Sequence, residues 1–70
     1  MTLCEILDSV EMNPVEWGIG DEMSLDLPDG EGWRVSVPES SFKMLRAVLR
    51  ANEIGEMIRY SGGYATIRSY

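Results

Sequence analysis

The beginning of the chain carries apolar side chains at the three- and four-residue spacing of an amphipathic helix. This stripe consists of Leu3, Ile6, Leu7 and Val10. Thr2 followed three residues later by Glu5 matches a capping box, in which the two side chains accept hydrogen bonds from backbone N–H groups at the helix start. The pattern predicts a first helix over residues 3–12, ended by Asn13 and Pro14 because proline cannot continue the hydrogen-bond ladder.

Residues 13–21 are predicted to form a connecting loop or a short irregular strand that holds Trp17, and beyond them helical spacing gives way to alternation. The apolar members of the alternation are Met23, Leu25 and Leu27, followed further on by Trp33, Val35 and Val37. Ser24 and Asp26 occupy the polar positions of the first run. The proline and glycines of residues 28–32 are typical of a hairpin loop. The two runs are therefore predicted to pair as an antiparallel hairpin.

A second helix is predicted by another apolar stripe at helical spacing, formed by Phe42, Leu45, Val48 and Leu49. Pro38 and Glu39 suit the start of this helix, with Ser40 or Ser41 as its N-cap. We expect the helix to end within residues 52–55, where an asparagine and a glycine favour termination.

Two short strands are predicted after this helix, at residues 57–60 and 64–69. With Gly62 and Gly63 as the central residues of the turn, the apolar cross-strand pairs are Tyr60 with Ala65 and Ile58 with Ile67. The opposite face of this second hairpin is predicted to carry Arg59, Thr66 and Arg68.

The predicted elements follow the order α-β-β-α-β-β. Such a chain is expected to form a compact α+β domain, in which two helices pack on one side of a four-stranded, mainly antiparallel sheet. Its 70 residues suffice for one modest core, so residues 1–70 are interpreted as a single domain. The two helix-hairpin halves share a plan, but the sequence contains no convincing internal repeat and leaves the strand order open.

The composition offers little for catalysis or metal binding. The chain has no histidine and a single cysteine, Cys4. This excludes an intramolecular disulfide, the commonest zinc sites and the usual general acid or base near neutral pH. We therefore expect no enzymatic activity, no cofactor and no metal, with Cys4 packed rather than reactive. The lack of a long apolar run or a signal peptide leads us to expect a cytoplasmic protein without membrane contact.

Charge is distributed unevenly along the chain, whose net charge is −6. Residues 1–33 contain nine acidic residues and no Lys or Arg, whereas residues 34–70 contain three acidic and six basic residues. The nine acids are Glu5, Asp8, Glu11, Glu16, Asp21, Glu22, Asp26, Asp29 and Glu31. The first three are spaced so that they line one solvent-facing stripe of the predicted first helix.

Two interpretations of this acidic half remain open. In the first, the nine acids form an ordinary solvated surface, partly paired with Lys43, Arg46 and Arg50 of the second helix. In the second, they are directed at a partner and imitate the phosphates of DNA, whose duplex carries one charge per about 1.7 Å of axis. The partner is then a protein with a basic nucleic-acid-binding groove, and Trp17 is either an aromatic contact with it or a core residue. Direct binding of nucleic acid is not expected of so acidic a chain.

In its small size, acidic first half, α+β plan and lack of catalytic groups, the chain resembles the phage-encoded anti-CRISPR proteins. That class shares no diagnostic motif, so the resemblance assigns no role to a residue by position. It implies a stoichiometric inhibitor, expected to act as a monomer in the host bacterial cytoplasm, that blocks target-DNA binding by a CRISPR effector complex. The narrower expectation is a type I-C Cascade complex, blocked where its large subunit receives DNA.

The alternative is a small adaptor or assembly subunit that binds a protein partner through an apolar or aromatic patch. In that case the carboxylates provide only solubility, and the C-terminal tyrosines Tyr60, Tyr64 and Tyr70 are candidates for the patch. Salt separates the two hypotheses, because binding by a DNA mimic weakens steeply as ionic strength rises and apolar docking changes little.

Overall fold

The computed structural model describes residues 2–70 and contains two helices and four strands in the predicted order. The helices are α1 (Leu3–Ser9) and α2 (Glu39–Ala51). The strands are β1 (Gly20–Leu27), β2 (Gly30–Ser36), β3 (Gly55–Ser61) and β4 (Tyr64–Ser69). Neighbouring strands are all antiparallel and follow the order β1-β2-β4-β3. The α+β class and the element order are confirmed, and the strand order that the sequence left open is defined.

Both helices pack on the same face of the sheet. On the two central strands, Trp33 pairs with Ile67 and Val35 with Ala65, so these four buried side chains share one face. They form one apolar cluster with residues from both helices, among them Leu3, Leu7, Leu45 and Leu49. We call this side of the sheet the helical face and the opposite side the outer face.

Helix α1 begins as predicted and ends earlier than predicted. Thr2 and Glu5 form the predicted capping box. The helix ends at Ser9 rather than Met12, because Glu11 adopts a left-handed conformation with φ 62°. The N–H groups of Glu11 and the following residue donate to carbonyls of the last helical turn at 3.0 and 2.8 Å, a Schellman motif. Helix termination therefore precedes Pro14 and does not depend on it.

Helix α2 differs from its prediction at the N-terminus. Its N-cap is Pro38, with no side-chain hydrogen bond, so the predicted capping by Ser40 or Ser41 is wrong. Proline at this position holds the extended backbone that precedes the helix. The other end lies within the predicted range, and Glu53, with φ 54°, occupies the left-handed position of a second Schellman motif.

The first hairpin has a turn of two residues, Pro28 and Asp29, which is shorter than the predicted loop of residues 28–32. Its register pairs Met23 with Arg34 and Ser24 with Trp33. The polar side of β1 therefore shares the helical face with the buried side of β2, and the apolar side of β1 lies on the outer face. The alternation is confirmed, but the two apolar runs lie on opposite faces of the sheet.

The second hairpin turns at Gly62 and Gly63, both with positive φ, as predicted. Tyr60 pairs with Ala65 as predicted. The predicted pairing of Ile58 with Ile67 is wrong, because a β-bulge shifts the register and places Met57 opposite Ile67. The extra residue of this bulge, Ile58, is 43% exposed. The predicted polar face is confirmed, since Arg59 pairs with Thr66 and Arg68 with Glu56.

The two halves of the chain, α1-β1-β2 and α2-β3-β4, occupy equivalent positions. Strands β2 and β4 form the antiparallel centre, and β1 and β3 form the edges. The strand order is therefore unchanged when the two halves are exchanged, and the register of β2 and β4 is centred on the pair of Arg34 and Thr66. Each edge strand carries a register shift, at Asp21 in β1 and at Ile58 in β3. At the seam between the halves, a Cβ atom on Gly32 would collide with the Ile67 carbonyl, so close approach of β2 and β4 requires glycine there.

Candidate protein-interaction surface

Helix α1 and the turn that ends it present three carboxylates to solvent. Glu5, Asp8 and Glu11 are all exposed, while Leu3 and Leu7 on the opposite side of the helix are fully buried. The apolar stripe fixes this orientation, because burying it directs the acidic stripe outward. The structure therefore places Glu5 and Asp8 on the predicted helical stripe, whereas Glu11 is exposed beyond the end of α1 because it adopts the left-handed conformation that terminates the helix.

Two more acids are exposed near the loop that joins α1 to β1. Glu16 lies in the turns of this loop, and Asp21 occupies the register shift at the start of β1 with φ 26°. Trp17, the predicted aromatic contact, is half-buried and packs against the apolar cluster. Its packing supports a core role and leaves only part of the indole available to a partner.

The hairpin of β1 and β2 carries three acids around its tip. Asp26 pairs directly with Glu31 across the strands, and both side chains are exposed on the helical side of the sheet. Like charges placed opposite each other repel, so this pair costs stability in the isolated protein. Asp29, in the turn, lies 3.6 Å from the guanidinium of Arg68 and is the only one of the nine in an ion pair with another part of residues 2–70.

Glu22 has a structural role that its sequence position does not reveal. Its carboxylate lies on the helical face and accepts hydrogen bonds from the backbone N–H groups of Leu3 and of Cys4, the latter at 2.8 Å. These are two of the N–H groups at the N-terminus of α1, where a negative charge is also favourable. Glu22 thereby joins β1 to α1, and it is half-buried.

The environment of Cys4 suppresses thiolate formation. Burial, a hydrogen bond to Glu22 and the negative charges of Glu22 and Asp8 raise the pKa of the Cys4 thiol to about 11. Because the thiolate is the nucleophilic form, the raised pKa of the half-buried Cys4 disfavours its reaction at neutral pH.

The basic residues of α2 do not neutralise the first-half acids. Lys43, Arg46 and Arg50 are exposed, and Arg50 pairs with Glu56 of β3 at 3.1 Å, within the second half. Five of the exposed acids without an ion pair lie on α1, directly after it, or on the helical face of the first hairpin. We call them the acidic surface, and its members are Glu5, Asp8, Glu11, Asp26 and Glu31.

The predicted cluster of C-terminal tyrosines is divided between different environments. Tyr60 lies on the helical face, where its ring stacks on Phe42 of α2 with centroids 4.4 Å apart and its hydroxyl donates to the Val37 carbonyl. Tyr64 lies on the outer face and is 41% exposed, and Tyr70 is 66% exposed. The three tyrosines therefore do not form a single patch.

The outer face carries apolar side chains that the hairpin prediction did not place there. Met23 is 52% exposed, and Leu25 and Leu27 are partly buried on the same side of β1. They adjoin arginines on the central and far strands, chiefly Arg34 and Arg59. The alternation of apolar and polar residues in β1 is compatible with either face of the sheet. Only the register between β1 and β2 shows that the apolar residues of β1 lie on the outer face.

Within residues 2–70, no three His, Cys, Asp or Glu side chains are grouped closely enough to hold a metal ion. Neither helix is long and apolar enough to cross a membrane. Comparisons with protein-family models, with curated proteins and with solved structures found no match to this chain.

Proposed function

We propose that the protein acts by stoichiometric binding, and that its acidic surface occupies a basic nucleic-acid-binding groove on a protein partner. The observation that carries this proposal is the absence of internal ion pairs for the acidic surface in the described part of the chain. Five carboxylates held outward without compensating cations repel one another, and this repulsion is relieved when a basic groove covers them.

The rigid scaffold supports electrostatic recognition. Two of the acids lie on adjacent strands at the hairpin tip, and two lie along α1 with Glu11 directly after its end. Helix α1 is anchored to the sheet by its buried leucines and by Glu22. Charges held in a fixed pattern steer a partner of opposite charge and fix its orientation with little loss of side-chain freedom. DNA offers a basic groove a similar array of fixed negative charges.

The target that we propose is the DNA-binding groove of a CRISPR effector complex in the host bacterial cytoplasm, as the resemblance to anti-CRISPR proteins implies. Within this class, the type I-C Cascade large subunit is the narrower proposal. The protein is proposed to act as a monomer, without a cofactor and without contacting nucleic acid itself.

The direct experiment measures binding of labelled target duplex to purified type I-C Cascade while the protein is added. Inhibition is expected to be complete near one equivalent per binding groove and to weaken as salt is raised. The test variant combines Glu5→Gln, Asp8→Asn and Glu11→Gln. Glutamine at position 5 can still complete the capping box, so the helix is preserved. Inhibition is expected to weaken about tenfold, since each exposed ion pair contributes about 0.2–1 kcal/mol.

The matched control combines Glu39→Gln, Glu53→Gln and Glu56→Gln, which removes the same number of charges from the second half. This control is expected to inhibit like the unmodified protein. Equal weakening by the two triple variants would show that only net charge matters. If Cascade is not inhibited at all, capture of partners from bacterial lysate at low and high salt, followed by displacement with duplex DNA, tests the broader proposal of a DNA-binding partner.

The second candidate function is that of an adaptor docking through the outer face, which is favoured by the exposure of Met23 beside Leu25 and Leu27. Apolar docking of this kind is expected to be insensitive to salt and to the α1 triple variant. Met23→Gln, on the opposite side of the sheet from the acidic surface, is expected to weaken only the adaptor mode. Measuring both variants against any captured partner separates the two functions.

A further inference from the structure

The outer face of the sheet contains a shallow depression of about 350 Å³. Its lining residues are Leu25, Arg34, Arg59, Ser61, Tyr64 and Thr66. They supply two guanidinium groups, three hydroxyl groups and one aliphatic side chain, and none of the six is acidic. In a chain with twelve acidic and six basic residues, this space brings two of the basic residues together without a carboxylate in its lining.

Strand pairing sets the positions of these groups. Arg34 of β2 pairs with Thr66 of β4, which pairs in turn with Arg59 of β3. Side chains paired across antiparallel strands project from the same face, so the two arginines flank the Thr66 hydroxyl on the outer face. Their backbones are about 10 Å apart, two strand spacings, which lets both long side chains reach a ligand above Thr66. Tyr64 and Ser61 pair in the adjacent row.

The two arginines are not neutralised within residues 2–70. The Arg34 guanidinium lies 4.7 Å from the centroid of the Tyr64 ring, a cation–π contact that restricts its rotation. Neither Arg34 nor Arg59 is in an ion pair with a described acid. Arg68, one row further along the outer face, is paired with Asp29 and is not among the lining residues.

We propose that this depression binds a small organic phosphate, with Arg34 and Arg59 holding the phosphate oxygens. Two planar guanidinium forks and three hydroxyls offer more donors than the two oxygens of a carboxylate can accept, whereas a phosphate group has three terminal oxygens. Leu25 and the exposed part of Tyr64 supply apolar surface for the organic part of the ligand. This site is on the opposite side of the sheet from the acidic surface and does not depend on the function proposed for that surface.

The surroundings favour a compact anion over a nucleic-acid strand. A neighbouring depression shares Arg34 and Tyr64, but its lining includes Asp21 and Glu22. A polyanion extending towards β1 would therefore approach the exposed Asp21, whose repulsion acts over a Debye length of about 8 Å at physiological salt. A single phosphate group stays between the two arginines and avoids this repulsion.

The experiment is an NMR titration of the ¹⁵N-labelled protein at low salt with phenyl phosphate, inorganic phosphate and benzoate. Saturable shifts are expected at the amides of Arg34, Arg59 and Thr66. Phenyl phosphate is expected to bind more tightly than inorganic phosphate, because its ring contacts apolar surface, and more tightly than benzoate. The double variant R34Q/R59Q is expected to weaken phenyl phosphate binding at least tenfold.

The control variant K43Q/R46Q loses the same two positive charges from exposed positions on α2 and is expected to bind phenyl phosphate unchanged. A second test variant, R34K/R59K, keeps the charge and removes the guanidinium forks. R34K/R59K is expected to bind phenyl phosphate more weakly than the unmodified protein. This result tests the guanidinium groups independently of any effect that glutamine has on the sheet in R34Q/R59Q. Equal effects of R34Q/R59Q and K43Q/R46Q, or equal affinity for benzoate and phenyl phosphate, would overturn the proposal. So would affinity for oligonucleotides that increases with their length.

Discussion

The two halves of this protein have the same plan and opposite charge. The first half, α1-β1-β2, carries nine acidic residues and one arginine, whereas α2-β3-β4 carries three acidic and five basic residues. Both halves consist of a helix ended by a Schellman motif and a hairpin whose edge strand is interrupted. Buried apolar positions and turns therefore determine the plan, and exposed positions are free to take either charge.

The halves also differ in how their helices are held. Helix α1 has 7 residues and α2 has 13. So short a helix is marginal without tertiary support, and α1 has both a capping box and the Glu22 carboxylate at its N-terminus. Helix α2 has no side-chain cap and relies on its longer apolar stripe. The shorter element thus requires more polar contacts at its end.

The largest expected effect tests whether the halves fold together. Leu7→Ala in α1 and Leu49→Ala in α2 each remove a fully buried side chain from the shared core, which costs about 2–5 kcal/mol. Circular dichroism and tryptophan fluorescence during urea unfolding are expected to report one common transition for each variant. Met44→Ala, at a position that is 56% exposed, is the control and should change stability by less than about 0.5 kcal/mol. Separate transitions in Leu7→Ala would show that the halves are independent.

Burial, together with the neighbouring acids Glu22 and Asp8, predicts the titration of Cys4. With its pKa raised from 9.0 to about 11, the thiol has a thiolate fraction at pH 8 that is about a hundredfold below that of an unperturbed cysteine. Alkylation by iodoacetamide is expected to be slow in the folded protein and to rise with a midpoint near pH 11. Because folding raises this pKa, the associated stability is intact below pH 9 and is lost as the pH rises to about 11. A midpoint near pH 9 in the folded protein would contradict the assignment.

The polar connection between α1 and β1 is expected to be worth less than a core leucine. Glu22→Ala leaves two backbone N–H groups at the start of α1 without their carboxylate partner, which costs about 1–3 kcal/mol. Glu22→Gln retains an acceptor and should cost less. Asp26→Ala, on the same side of the same strand, is the control, since it removes an exposed acid opposite Glu31 and should not destabilise. Thermal unfolding measures all three variants, and equal losses from Glu22→Ala and Asp26→Ala would refute the capping role.

The smallest expected effect is a gain in stability that should be equal for equivalent substitutions in the two halves. Glu11 and Glu53 both occupy left-handed positions that glycine adopts without steric cost. Glu11→Gly and Glu53→Gly are each expected to stabilise the protein by about 0.5–1 kcal/mol, measured by urea unfolding. Glu16→Gly, at an exposed acid with negative φ, should give no such gain. Only Glu11→Gly also removes a charge from the acidic surface, so the pair separates stability from partner binding.

Local patterns in the sequence predicted the elements but not the register of the edge strands. The capping box, the glycine turn and both apolar stripes are local features, and all were predicted. The orientation of β1 places Glu22 at the N-terminus of α1. There it contacts Leu3 and Cys4, which precede it in the sequence by 19 and 18 positions. The bulge at Ile58 depends on how β3 packs beneath α2, where Met57 and Tyr60 both contact the core. Such long-range packing leaves no periodic signal in the chain.

The candidate sites differ in the same way. The acids of α1 could be placed from the sequence, because the spacing of the apolar residues fixes which side of a helix is exposed. The depression on the outer face could not be placed, because Arg34 and Arg59 come together only through the strand order β1-β2-β4-β3. The predicted second hairpin placed Arg59 of β3 beside Thr66 of β4, but nothing in the sequence indicated which strand would pair with the other edge of β4.

The irregular edges of the sheet have a consequence for the self-association of this protein. An exposed strand with free backbone groups is a template on which further copies can add. In this sheet the regular strand pairing is interrupted near one end of β1 and in the middle of β3. Strand β1 also displays exposed carboxylates, which repel the β1 strand of another copy. Both register shifts therefore oppose edge-to-edge addition of further copies at the two borders of the sheet.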